Sequence, residues 1–102
     1  MGTINRQSSK ENMSANEKQQ MLFVQLISSL HGAALMHMGK IKNPATDALD
    51  RHLDQAEMTI EMLDMLKEKT KGNLSSDEEK FFTTVISELK LNYVDEKSKE
   101  PK

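Results

Sequence analysis

The chain has 102 residues, of which 36% are hydrophobic and 29% are charged, and its formal net charge is -2. This length suffices for one domain, and the lack of excess positive charge argues against electrostatic binding of nucleic acid or anionic lipid. There is no cysteine, which excludes disulfides, zinc–thiolate sites and thiol nucleophiles. No apolar run suits a signal sequence or a membrane span, so we expect a cytoplasmic protein.

Both ends of the chain are polar segments with little apolar surface to bury. Folding such a segment costs conformational entropy without a compensating gain from buried area. We therefore predict a disordered N-terminal arm over residues 1–13, a single helical domain over 14–94 and a disordered tail over 95–102.

The first helix is predicted over residues 15–38. Ser14 and Glu17 have the spacing of a capping box, and Gly39 can adopt the left-handed conformation that closes a helix. From Phe23 to Met38 the apolar residues spread over more than half of the helix circumference. An arc of that width indicates neighbouring helices on two sides, so this helix is predicted to be central.

The second helix is predicted over residues 47–71, after an Asn-Pro turn and before Gly72. One face, directed toward helix 1, carries Leu49, Leu53, Ala56, Ile60 and Leu63. Three methionines lie roughly opposite: Met58, Met62 and Met65. Between these faces runs an acidic strip, which we interpret as solvated; a docking surface for a basic partner and a metal site are the alternatives. The strip has no Glu-x-x-His pair of the kind found in di-metal sites.

The third helix is predicted over residues 76–94 and starts with a second capping box, Ser75 with Glu78. Its apolar residues form one stripe that ends at Tyr93, and Leu74 is predicted to anchor the preceding turn in the core. The short turns make consecutive helices antiparallel. The predicted fold is an all-α three-helix bundle.

Two motifs carry a resemblance to a known family. The first is "EKTKGNL" followed by a Ser-Asp-Glu-Glu helix start, and the second is "ALMHMG" before the Asn-Pro turn. With these motifs, residues 23–44 and 56–94 resemble the domain of unknown function 1844 family. The resemblance implies a small, mostly helical bacterial protein, and it implies no activity, substrate or catalytic residue.

Two histidines and nearby methionines on helix 1 raise the question of a soft-metal site. His31 and His37 are six residues apart, about 120° around a helix, so they are poorly placed to bind one ion together. His31 and Met38 do share a face, and such a pair would suit cuprous copper. We expect His37 to be a partly buried structural histidine, and we predict no metal or cofactor. A ligand or soft-metal sensor is the alternative function.

The candidate interface combines small residues of helix 1 with the methionines of helix 2. Glycine inside a helix costs about 1 kcal/mol relative to alanine, which points to a packing reason at Gly32. Gly32 and Ala33 would allow another helix to approach closely, within the domain or across a subunit interface. A stripe of flexible methionines can adapt to a partner surface, although helix 3 could instead cover it. The candidate interface residues are Met58, Met62, Met65, Gly32 and Ala33.

The sequence contains no nucleophile elbow and no phosphate-binding loop, so we predict that the protein is not an enzyme. A core of this size rarely supplies more than about 3–5 kcal/mol of stability, and self-association is the natural supplement. We predict a non-enzymatic helical protein–protein interaction module, an adaptor or regulatory subunit, that forms a homodimer. An unidentified protein partner is also expected, whereas nucleic acid and membrane partners are not.

Overall fold

A computed structural model describes residues 14–100 of the chain. They form three helices, α1 (Ala15–His37), α2 (Leu53–Lys69) and α3 (Ser76–Ser98), each of which packs against the other two. The prediction of an all-α three-helix bundle is therefore confirmed. The predicted arm over residues 1–13 lies outside the described residues.

Both predicted capping boxes are present. At the start of α1, the Ser14 hydroxyl accepts from the Glu17 N–H at 3.1 Å, and the Glu17 carboxylate accepts from the Ser14 N–H at 3.0 Å. Ser75 and Glu78 make the same reciprocal contacts at the start of α3, at 3.1 and 2.8 Å. These local bonds satisfy backbone donors that have no partner inside the helix, so they fix where the two helices begin.

The predicted start of helix 2 at residue 47 is wrong, because α2 begins at Leu53. Asp47 has a positive φ of 55° and lies in a turn rather than at a helix start. Asn43 organises this turn: its side-chain oxygen accepts from the Ala45 N–H at 2.8 Å, and its own N–H donates to the Ala48 carbonyl at 2.9 Å. These bonds hold the backbone in a turn. The residues after Pro44, whose acidic side chains suggested the first turn of a helix, therefore do not begin one.

The end of the connection returns to α1 before α2 begins. The His52 N–H donates to the His37 carbonyl at 2.7 Å, and Met38 forms an isolated antiparallel bridge with Arg51. Leu49, which the sequence pattern placed on the buried face of helix 2, is therefore outside the helix and 61% exposed.

The last turns of α2 and α3 also differ from the predictions. α2 ends at Lys69 and the Thr70 hydroxyl donates to the Leu66 carbonyl at 2.7 Å, so the helix closes two residues before the predicted position. α3 continues to Ser98, so residues 95–98 of the predicted tail are helical. Glu96, in this extension, is only 8% exposed.

The core contains the predicted inner faces of α2 and α3. Phe23 of α1 meets Phe82 of α3 edge to face, with ring centroids 5.4 Å apart. Leu74 packs against the core between α2 and α3, as predicted. The largest fully buried side chains are Phe82, Ile27, Met38, Leu63 and Leu89.

None of α1, α2 and α3 is both long enough and apolar enough to cross a bilayer.

Candidate interaction surface

The three methionines of α2 are only about half covered by the rest of the described chain. Met58 is 56% exposed, Met62 is 41% exposed and Met65 is 44% exposed. Covering by helix 3, the alternative considered from the sequence, is therefore wrong. The opposite face of α2 is the buried one, which includes Ala56 and Leu63.

The methionines lie on the side of α2 that borders α1. Asp64 marks the side of α2 that borders α3, because its carboxylate is 3.1 Å from the Lys90 ammonium group of α3. At about 100° per residue, Asp64 and Met62 lie on opposite sides of the helix. Met62 therefore faces the α1 side of the bundle, and Met58 and Met65 point further outward.

Leucines of α1 border the same surface. His31 marks the α3 side of α1, because its Nε2 atom is 3.2 Å from the Glu88 carboxylate of α3. Leu22 and Leu26 lie on the other side of α1, toward α2, and they are 49% and 48% exposed. Ala33 falls on this side as well, and it is partly exposed.

By helical periodicity these side chains lie on the same side of the α1–α2 pair, and we call the surface that they define the α1–α2 apolar face. It consists of Leu22, Leu26, Ala33, Met58, Met62 and Met65. Leu22 and Leu26 were not among the interface residues predicted from the sequence: Leu22 precedes the apolar arc of helix 1, and Leu26 was counted as one member of that arc without being singled out.

Gly32 lies at the outer border of this face. A Cβ atom added at Gly32 would meet nothing within 4 Å. Close approach of a helix within the same subunit, one of the two reasons considered for this glycine, is therefore wrong. Close approach of a helix from a second molecule, the other reason considered for Gly32, stays a prediction.

The acidic strip of α2 runs along the far edge of the methionines. Asp54, Glu57, Glu61 and Glu68 are exposed, and within residues 14–100 none of these four carboxylates has an ion-pair partner. The surface of α1 is different, because there is no carboxylate between Lys18 and His37. The α1–α2 apolar face is therefore negative along its α2 edge and nearly neutral along its α1 edge.

The structure does not bring the two candidate metal-binding histidines together. His31 faces α3, as its contact with Glu88 shows, and His37, about 120° away on the same helix, is half-buried. Within the described part of the chain, no three histidine, aspartate or glutamate side chains are close enough to bind one metal ion. The sensor hypothesis stays a prediction from the sequence.

A polar cluster that the sequence analysis missed surrounds Glu96 near the end of α3. Its carboxylate lies 2.9 Å from Lys40, 3.1 Å from Arg51 and 3.2 Å from Lys99. The Arg51 guanidinium also donates to the Glu96 carbonyl. Hydrogen bonds from Lys40 and then Lys99 hold the pKa of Glu96 at about 2, although burial alone would raise it.

Glu96 could have been found from the periodicity of α3. It follows Leu89 by seven residues and Tyr93 by three, so the three side chains share a helix face. Both preceding residues pack in or against the core. The cluster therefore ties the connection between α1 and α2 to α3, and its role is structural.

A family model, described as Domain of unknown function (DUF1844), matches residues 20–96. The match covers most of the chain, including all of α2 and the greater part of α1 and α3. No curated protein and no solved structure matches the chain.

Proposed function

We propose that this chain, which belongs to the Domain of unknown function (DUF1844) family, is a non-enzymatic interaction module that assembles with a second copy of itself. The assembly uses the α1–α2 apolar face. The observation that carries the proposal is the exposure of five large apolar side chains on this one face: Leu22, Leu26, Met58, Met62 and Met65.

The size of the face supports a second copy as the occupant. At roughly 200 Å² for each fully exposed side chain, the five exposed fractions correspond to roughly 480 Å² of mainly apolar area; this lies within the about 300–600 Å² of the largest apolar patch on a typical monomer, which is often functional. Specific interfaces are about 56–58% non-polar, so a patch of this area would belong to an interface of roughly 840 Å² per partner. Stable protein–protein interfaces bury about 800 Å² per partner.

The small core supports the same proposal. The buried hydrophobic residues are few, and two of the eleven are alanines. A core of this size supplies about 3–5 kcal/mol by itself, and an oligomer adds buried apolar area without lengthening the chain. Methionine suits such a surface because its flexible side chain can adjust to an opposing helix.

A bacterial host, a cytoplasmic location and an additional protein partner are parts of the same proposal.

Sedimentation velocity at micromolar concentration tests the proposal. We expect the wild-type chain to sediment as a dimer and the Met62→Glu variant as a folded monomer, because a buried unpaired carboxylate at the centre of the face is costly. Leu91→Glu is the matched control, since Leu91 is 74% exposed on α3, outside the face, and this variant should remain dimeric.

Two results would contradict the proposal. One is a wild-type chain that is monomeric and fully helical at these concentrations, which would favour a different occupant such as a basic amphipathic helix. The other is a Met62→Glu variant with the mass and thermal stability of the wild type.

A further inference from the structure

We infer that the two copies are related by a two-fold axis parallel to the helices, so that α1 of each copy packs against α2 of the other. This inference rests on the proposed function, because it gives the orientation of the second copy on the same face. Two copies that meet through one face can be related by a two-fold axis that runs along the helices or across them. The charges that border the face favour the first arrangement.

An axis across the helices would place α2 against α2 and α1 against α1. The two acidic strips would then lie along the same edge of the interface, with four unpaired carboxylates from each copy facing one another: Asp54, Glu57, Glu61 and Glu68. Like charges at such an interface are repulsive and select against the arrangement.

An axis along the helices exchanges the two edges of the face. Each acidic strip then borders α1 of the other copy, which carries no carboxylate between Lys18 and His37. The strip stays at the rim, where carboxylates remain hydrated. The arrangement therefore buries the methionines without bringing the two strips together.

The same arrangement fixes which residues of the two copies lie level with each other. The bond between the His52 N–H and the His37 carbonyl fixes the relative height of α1 and α2. Counting along the two antiparallel helices from that bond at 1.5 Å per residue, Met58 lies at about the height of His31, and Met62 at about the height of Ile27. An axis along the helices preserves these heights, so Met62 of one copy lies nearly level with Leu26, the exposed neighbour of Ile27, in α1 of the other.

The absence of cysteine from the chain makes disulfide trapping a direct test. The Leu26→Cys and Met62→Cys variants are prepared separately with tags of different size, mixed and oxidised under mild conditions. We expect the mixed sample to form cross-linked heterodimer at least about tenfold faster than Met62→Cys forms a homodimer, because only the first pair can bring its Cβ atoms within about 4.5 Å.

The outcomes separate this inference from the proposed function. If the variants sediment as dimers but Met62→Cys cross-links with itself as fast as the mixed pair, or neither pair cross-links, the orientation is wrong and self-association stands. If the variants and the wild type are all monomers, the proposed function fails and the inference fails with it.

The salt dependence of the dimer gives a readout that needs no cysteine. Salt screens repulsion between exposed charges, so an axis across the helices predicts a dissociation constant that falls at least about fivefold between about 20 and 500 mM NaCl. The axis along the helices predicts a change of less than about twofold. A strong tightening of the dimer by salt would overturn the inference.

Discussion

Arg51 and Glu96 lie 45 residues apart in the chain, yet the Arg51 Nε atom donates to the Glu96 carboxylate across 3.1 Å. Lys40, near the other end of the connection between α1 and α2, contacts the same carboxylate at 2.9 Å. One side chain of α3 therefore holds both ends of this connection, which has no regular secondary structure of its own. The stability of the bundle should depend on that contact.

The Glu96→Gln substitution keeps the side-chain shape and removes the charge. We expect it to lower the free energy of unfolding by about 1–2 kcal/mol at neutral pH, because hydrogen bonds to charged groups contribute about 1.5–3 kcal/mol and the lysine and arginine partners here are partly exposed. Urea unfolding followed by circular dichroism measures the change. Glu100→Gln is the control, because its ion pair with Lys97 is exposed and 3.5 Å long; equal losses in the two variants would contradict the prediction.

The contribution of Glu96 should also disappear in acid. Its pKa is about 2 in the folded protein, against an ordinary value of 4.5. A group with a lowered folded-state pKa stabilises the protein fully above its unfolded-state pKa and loses this effect as the pH falls toward its folded-state pKa. The difference in Tm between the wild type and Glu96→Gln should therefore be constant above pH 5 (about half a unit over the ordinary value) and shrink between pH 4.5 and about 2. A difference that persists unchanged to the acid end would argue against the assignment.

Leu89 and Leu91, two residues apart on α3, should lose very different amounts of stability when each is replaced by alanine. Leu89 is fully buried, whereas Leu91 is 74% exposed. Leu89→Ala leaves a cavity and should cost about 2–5 kcal/mol, while Leu91→Ala should cost less than about 0.5 kcal/mol. Thermal unfolding measures both, and similar losses in the two variants would contradict the packing of α3.

Alanine substitutions at Gly32 and Gly72 should have effects of opposite sign. Gly72 has a positive φ of 85°, which an L-residue adopts at a cost, so Gly72→Ala should destabilise the chain by about 1–2 kcal/mol. Gly32 lies inside α1 with free space around its Cα, so Gly32→Ala should stabilise the chain by about 0.5–1 kcal/mol. Urea unfolding in the Met62→Glu background excludes any effect of Gly32 on dimer contacts, and destabilisation by Gly32→Ala there would contradict the prediction.

The sequence was sufficient to predict features that depend on neighbouring residues. Both capping boxes join residues three positions apart, and the buried face of α2 follows from the spacing of Leu53, Ala56 and Leu63. The position of the methionines opposite that face follows from the same periodicity, whereas the sequence left open whether helix 3 covers them.

Features that depend on distant contacts were not predictable in this way. Asp47 resembles a helix start in sequence, but local bonds of Asn43 form a turn there, and the non-local bond from the His52 N–H to the His37 carbonyl holds the chain beside α1 just before α2 begins. Glu96 lies in a segment with the composition of a tail, and the lysine and arginine side chains that hold it come from another part of the chain. Leu26 was included in the apolar arc attributed to neighbouring helices, because periodicity gives the width of such an arc and not how much of it those helices cover.

The position of Glu96 determines where a shortened version of this protein can end. The apolar stripe of α3 stops near Val94, so composition alone gives no reason against ending the chain there. It would remove the carboxylate that Lys40 and Arg51 share, and two cations would be left facing one another without a counter-charge. A minimal fragment for crystallisation or NMR should therefore extend at least to Ser98, where α3 ends.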